Sequence, residues 1–510
     1  MLSQIKSMAL IGLNGYLINV QVDVSNGMPS WEMVGLPDIS IKESKQRVKA
    51  AIKNLGYKLP SRKIIINFAP ANIKKEGPSF DLPIALGLLC DISVLQNNLF
   101  DDYVIIGELS LDGTLNKING ILPMCIEALN LGVKKAIIPF DNKYEASVVK
   151  GMEIYPAKHL SDVINHFNGS KPIEKLLNDI NYLFSNRTFS SLNFSSVKGQ
   201  EKIKRALEIA AAGGHNCLLI GSPGSGKTMM ARRIPSILPD LTFEESLELT
   251  KIHSIAGTLP STIPLITTRP FRNPHHTISK SALVGGGRIP MPGEISLAHY
   301  GVLFLDEIPE FKREILELLR EPLEDGKVTI NRVQSSFTYP SKFMLIASMN
   351  PCPCGYYGST EKECSCTLDQ VTKYMNRISG PLLDRIDIHI EVHPIKFDEL
   401  SSKKEPESSE KIKTRVNNAR KIQNERYKND NIHSNSELTT ELLKKYCQLD
   451  DDSTMLLKNA FEKLGFSARA HDKVIKLART IADLESSENI KANHIAEAIQ
   501  YRNLDRKYFT

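Results

Sequence analysis

Residues 221–228 read Gly-Ser-Pro-Gly-Ser-Gly-Lys-Thr, directly after the apolar run 217–220 and directly before a helix-like segment opening at Met229. Nothing else in the chain restricts its fold as much. Such a loop works only where a strand delivers it to a helix N-terminus, so the surrounding chain is expected to form an α/β sheet. Gly221, Gly224 and Gly226 let backbone N–H groups turn inward, and Ser222, Pro223 and Ser225 complete a cradle for phosphate oxygens. Lys227 is placed to pair with the β- and γ-phosphates, and the Thr228 hydroxyl to reach Mg²⁺, so ATP and Mg²⁺ are the expected cofactors.

A second apolar run, residues 302–305, ends in Asp306 and Glu307. Two carboxylates at one strand end divide the work of hydrolysis. Asp306 holds the metal and Glu307 orients and polarises the attacking water as general base. A third apolar run, 343–347, leads through Ser348 and Met349 to Asn350, which is placed to contact the γ-phosphate or that water.

A chain of 510 residues is too long for one core and predicts several domains. Its 41% apolar and 24% charged residues exclude collagen-like, membrane and wholly disordered classes. The first twenty residues carry Lys6, Gly12, Asn14, Gly15 and Asn19, which interrupt any signal-length or membrane-length apolar run. With no such run, eight cysteines suggest reduced thiols and a cytoplasmic setting. The net charge of +6 permits a polyanionic partner without requiring one.

By pattern, residues 1–165 form an α+β domain and 166–193 a polar connection in which 173–184 could make a short helix. Residues 194–394 form the α/β nucleotide-binding core, 395–410 a charged linker, and 411–510 an all-helical segment. The fold class is thus multidomain α/β.

RPFRNPHHTISKSALVGGG (269–287), MPGEISLAHYGVLFLDEIPEF (291–311) and SGPLLDRIDI (379–388) resemble the magnesium-chelatase-like AAA+ ATPases, and within them the ComM (YifB) family. The likeness extends through 35–48, 69–85 and 466–485, so it covers nearly the whole chain. It implies a hexameric ring with ATP between subunits, acting as a DNA motor that promotes branch migration in natural transformation. It also implies that Arg385 is the arginine finger reaching a neighbour's γ-phosphate, and that Arg469 is the sensor 2 residue of a helical lid.

The first domain resembles the proteolytic domain of Lon, with Ser79 at the serine position. Residues 118–139 place Leu122 and Met124 where the Lon motif carries lysines, so the base that would activate Ser79 is missing and no peptidase is expected.

Cys352, Cys354, Cys364 and Cys366 form two Cys-x-Cys pairs nine residues apart, which leaves open a structural Zn²⁺ or a loop of reduced thiols. Residues 323–337 contain Asp325-Gly326-Lys327 beside Val328, Ile330 and Val333, a pattern suited to a pore hairpin with Lys327 and Arg332 on DNA phosphates. Arg272, Lys280 and Arg288 in the preceding insertion are further candidates. Two alternatives share the same core: a motor subunit of magnesium chelatase, which would lack a Lon-like domain, and a protein-remodelling ATPase, since a pore hairpin can also grip polypeptide.

Overall fold

The computed structural model describes residues 2–176, 192–287, 290–331, 336–359, 362–395, 401, 405–430, 432–464, 467–502 and 504. Arg288, Arg332 and most of the helix expected over 173–184 lie outside the described residues. The chain divides into two compact units, Met1–Asn186 with Phe243–Ile266, and Arg187–Thr242 with Thr267–Thr510.

The first unit is α+β. Strands Leu2–Ile11, Asn14–Ser25, Lys63–Ala69 and Ser30–Val34 lie in that order in one sheet, the last pair parallel. A three-stranded parallel sheet is built from Tyr103–Ile105, Lys135–Pro139 and Glu153–Ala157. Helix Asp81–Asp91 (DLPIALGLLCD) is buried along almost its whole length. It fits there because Gly87 lies against Val22, where a Cβ would stand 2.6 Å from a valine methyl.

The sequence reading assigns residues 243–266 to the nucleotide-binding core, but they pack within this first unit. Leu265 joins the core of Leu122, Met124 and Cys125, with Phe243 and Leu247 packed against it. Gly120 N donates to Ser254 O at 3.1 Å and Lys117 Nζ to Leu259 O at 2.7 Å. Leu122 is fully buried and Met124 nearly so, both packed in this core.

The second unit carries a five-stranded parallel sheet ordered Phe271–Arg272, Val302–Leu305, Met344–Met349, Cys217–Gly221, Ile388–Val392. Its central strands are buried on both faces, so they read as unbroken apolar runs instead of alternating ones. Helix Glu201–Gly213 offers Ala206, Ala210, Ala211 and Ala212 as a small-residue contact. The C-terminal helices Ser409–Arg426 and Ala468–Leu484 bury Ile412, Val416, Val474, Leu477 and Ile481 in the same core as Leu207, Leu219 and Ile346. These helices thus pack on the core of the sheet. A parallel sheet with C-terminal helices fits the fold of a magnesium-chelatase-like AAA+ protein.

Candidate functional site

Strand Cys217–Gly221 delivers the phosphate loop to helix Lys227–Ala231. Gly224 and Gly226 take φ of 79° and 91°, left-handed values that favour glycine. Gly221 is needed for space, because a Cβ there would stand 2.3 Å from Val392 O. Lys227 Nζ donates to Gly221 O at 2.7 Å, Ser222 O at 2.9 Å and Asn350 Oδ1 at 3.1 Å. Burial pushes its ammonium down to about 8, while Asp306 and Glu307 pull it back up.

Thr228 Oγ1 donates to Asp306 Oδ2 at 2.8 Å. Two adjacent oxygen ligands of an octahedral Mg²⁺ stand about 2.9 Å apart at metal–oxygen distances of 2.0–2.1 Å, so this pair fits that ion. Asp306 Oδ1 accepts a short hydrogen bond from Ser348 Oγ, which in turn accepts from Glu307 N at 3.2 Å. Glu307 takes φ of 52°, and this left-handed turn holds its carboxylate exposed at the strand end. The sheet therefore brings together Lys227, Thr228, Asp306 and Asn350, with Glu307 next in sequence to Asp306. Ser348 is the residue that sequence reasoning missed. Its signal was a hydroxyl inside an otherwise apolar strand, one step beyond the Leu305–Ala347 pair.

The two arginines inferred from resemblance lie together on another part of the unit. Arg385 Nη1 donates to Pro381 O at 2.6 Å and Nη2 makes a short ion pair with Glu324. Its Nε has no acceptor among the described residues. Arg469 is exposed and pairs with Asp384 at 3.6 Å.

Three of the DNA candidates can be placed. Gly326 ends helix Arg320–Asp325 in a left-handed cap, so Asp325-Gly326 is a helix stop and not the expected hairpin turn. The hairpin itself exists, pairing Lys327–Asn331 with Ser336–Pro340. Lys327 is exposed and stands at the end of the ladder opposite Pro340. Arg272 is half-buried in a bidentate pair with Glu294, both contacts 2.6 Å, which weakens it as a phosphate ligand. Lys280 is exposed and pairs with Glu314 at 3.1 Å. His275 and His276 lie with ring centroids 4.1 Å apart and their planes tilted by 36°.

The cysteine loop follows Asn350 directly. Cys352, Cys354, Cys364 and Cys366 place their sulfurs within 4.8 Å of one another, with 3.3 Å, 3.7 Å and 3.5 Å among the first three. A tetrahedron of thiolates at 2.3 Å from Zn²⁺ has edges of about 3.8 Å, so the donor set fits that metal. Tyr357 N donates to Cys352 Sγ at 3.3 Å. Gly355 packs on the phosphate loop, where a Cβ would stand 2.5 Å from Pro223 Cδ. In the first unit Ser79 is buried, and the buried Lys75 donates to Pro70 O and not to Ser79. No helix among the described residues is long and apolar enough to cross a membrane.

Three family models match the chain: "Magnesium chelatase, subunit ChlI" over residues 193–400, "Subunit ChlI of Mg-chelatase" over 20–142, and "Magnesium chelatase, subunit ChlI C-terminal" over 406–502. The match over 20–142 means that the first domain does not by itself separate this chain from chelatase subunits. YifB of Escherichia coli (strain K12) is 43% identical over 508 residues, 99% of this chain and 98% of YifB. Competence protein ComM of Haemophilus influenzae is 40% identical over 509 residues, with the same coverage. Lon protease 2 of Bacillus subtilis is 28% identical over 189 residues, 34% of each chain.

Proposed function

Because the chain belongs to the magnesium-chelatase-like ComM/YifB family, whose AAA+ core implies an ATPase, we propose that it is an ATP-driven hexameric motor that moves DNA. The observation that carries the ATPase part is the convergence of Lys227, Thr228, Asp306 and Asn350 at the ends of three adjacent parallel strands. Lys227 binds the β- and γ-phosphates, exchanging its carbonyl acceptors for phosphate oxygens. Thr228 and Asp306 would hold Mg²⁺, which neutralises charge on the phosphates when bound. Glu307 orients the attacking water and takes its proton, with its backbone fixed by Ser348. Asn350 holds Lys227 from the far side and is placed for the γ-phosphate. Arg385 leaves Glu324 and acts on the γ-phosphate of a neighbouring subunit. Arg469, on the C-terminal helices beside Asp384, is the sensor 2 residue.

DNA as the polymer is supported by the printed name of the competence relative and by the hairpin 327–340 with Lys327 exposed. We infer a ComM-like helicase that promotes branch migration, with Lys327 and Arg332 as principal phosphate contacts, and Lys280, Arg288 and Arg272 as secondary ones. The cysteine loop holds one structural Zn²⁺. The first unit serves as a scaffold for ring assembly or DNA contact.

ATP hydrolysis and junction migration on forked and four-way DNA test the proposal. Binding should weaken steeply with salt, and changing Lys327 and Arg332 to Ala should reduce the salt slope by about two phosphates' worth and stop migration. Junctions migrated equally well by that double variant would refute the hairpin as the grip.

A further inference from the structure

The segment 384–387, Asp-Arg-Ile-Asp, joins helix Gly380–Leu383 to strand Ile388–Val392, and its backbone is held by side chains from distant parts of the same unit. Asn216 Nδ2 donates to Arg385 O at 2.9 Å. Asn216 O accepts from Asp387 N and Ile388 N, both at 3.0 Å. Ile386 O accepts from Lys473 Nζ at 3.0 Å and Arg502 Nη1 at 2.7 Å. The Asp387 carboxylate meets Lys473 Nζ at 3.2 Å and His215 Nδ1 at 3.3 Å, and His215 Nε2 continues to Thr480 Oγ1 at 2.7 Å.

Asn216 occupies the branch point of this network. It directly precedes strand Cys217–Gly221, which runs into the phosphate loop. Its Oδ1 accepts from Leu345 N at 2.8 Å, in the strand Met344–Met349 that ends beside Asn350. One amide group therefore fastens the backbone of Arg385 to the two strands that carry the Lys227–Asn350 contact. A side chain so placed has both of its hydrogen-bonding ends engaged, donor toward Arg385 and acceptor toward Leu345, so its orientation is fixed.

We propose that Asn216 is a positioning residue for Arg385, tying the reach of that arginine into the neighbouring ATP site to the strands around the chain's own phosphate loop. This rests on the reading that Arg385 acts in trans. If a subunit's own site shifts these strands when ATP is bound or hydrolysed, the shift passes through Asn216 to the finger, which links one site of the ring to the next. Lys473, on helix Ala468–Leu484, and Arg502, in the turn after Gln500, hold the same segment, so the clamp has a second side that stays in place when Asn216 is changed.

Full-length Asn216→Ala and Asn216→Asp test it. Aspartate keeps an acceptor for Leu345 N but puts an acceptor where Arg385 O needs a donor. Both variants should lower ATP turnover by about ten- to a hundredfold, within the range that a misplaced catalytic group costs. Both should bind a fluorescent ATP analogue within about twofold of the parent, because the phosphate loop itself is intact. Turnover should recover in part when either is mixed with Lys227→Ala subunits, which supply a correctly held Arg385 to an intact phosphate loop. Weakened nucleotide binding without recovery on mixing would overturn the proposal, since Asn216 would then act on its own site, and so would unchanged turnover. Arg385→Ala mixed with Lys227→Ala separates the two levels. If that pair fails to recover while rings form, action in trans is wrong; if it recovers and the Asn216 variants do not, only the positioning role is wrong. Should Asn216→Ala fail to fold, as judged by its circular dichroism melt, Asn216→Asp carries the test.

Discussion

Lys227 is 8% exposed, and burial brings its ammonium down to about 8 from 10.5. The phosphates of bound ATP supply negative charge beside it and should restore its ordinary value, near 10.4. Raising the pH from 7 to 9.5 should then leave only about one free protein in thirty with a charged Lys227, while most of the ATP complex keeps the proton, so the Kd for ATP rises about thirtyfold. The slope approaches one decade per pH unit above 8. The sign for folding is the opposite. A lysine whose native value lies below its unfolded one is protonated more in the unfolded chain between 8 and 10.5, so its contribution to stability improves as pH rises through that window. Weaker binding would therefore not reflect unfolding caused by this group. Titration with a fluorescent ATP analogue across this range, with a thermal melt at each pH, measures the effect. Lys227→Arg, whose guanidinium stays charged throughout, should bind with a flat profile. A parent Kd that does not change between pH 8 and 9.5, or an equal slope in Lys227→Arg, would refute the reasoning.

Lys227→Ala should weaken nucleotide binding, whereas Glu307→Gln should bind ATP but turn it over at least a hundredfold more slowly, roughly the value of a positioned general base; comparable turnover in Glu307→Gln and the parent rules out that role. Metal analysis of protein purified without chelator should find about one zinc per chain, lost when Cys352 and Cys364 are changed to Ser, and zinc-free protein would leave the cluster as reduced thiols. Arg47→Ala should destabilise the first unit by about 3–5 kcal/mol. The reason is that Asp81, buried and pushed up to about 6, would keep, among the described residues, the Leu109 N–H as its one remaining partner, at 3.2 Å; a thermal melt checks it.

The phosphate loop and the Asp306–Glu307 strand end were legible because their chemistry depends on contiguous residues and on a strand buried on both faces. Asn350 was legible as a strand-end polar residue, but its contact with Lys227 depends on strand order, which adjacent sequence does not encode. Ser348 and Asn216 were missed for the same reason, since each acts across neighbouring strands through one side chain. The Asp325-Gly326 pair misled because a left-handed glycine closes a helix as readily as it turns a hairpin. The Arg272–Glu294 pair joins residues on different elements and left no local trace. The span 243–266 carries no local sequence signal that says which core it enters.

That last span affects how the protein is made. A ribosome releases the phosphate loop before residues 243–266, yet the first unit needs Leu265 for its core, Ser254 O to meet Gly120 and Leu259 O to meet Lys117. The remaining 80 residues, 187 to 266, take roughly 4–16 s to synthesise at about 5–20 residues per second. During that time the face around Leu122 and Met124 lacks its cover. The first 186 residues expressed alone would carry the same exposed face permanently, whereas a fusion of residues 1–186 to 243–266 would restore the missing partner.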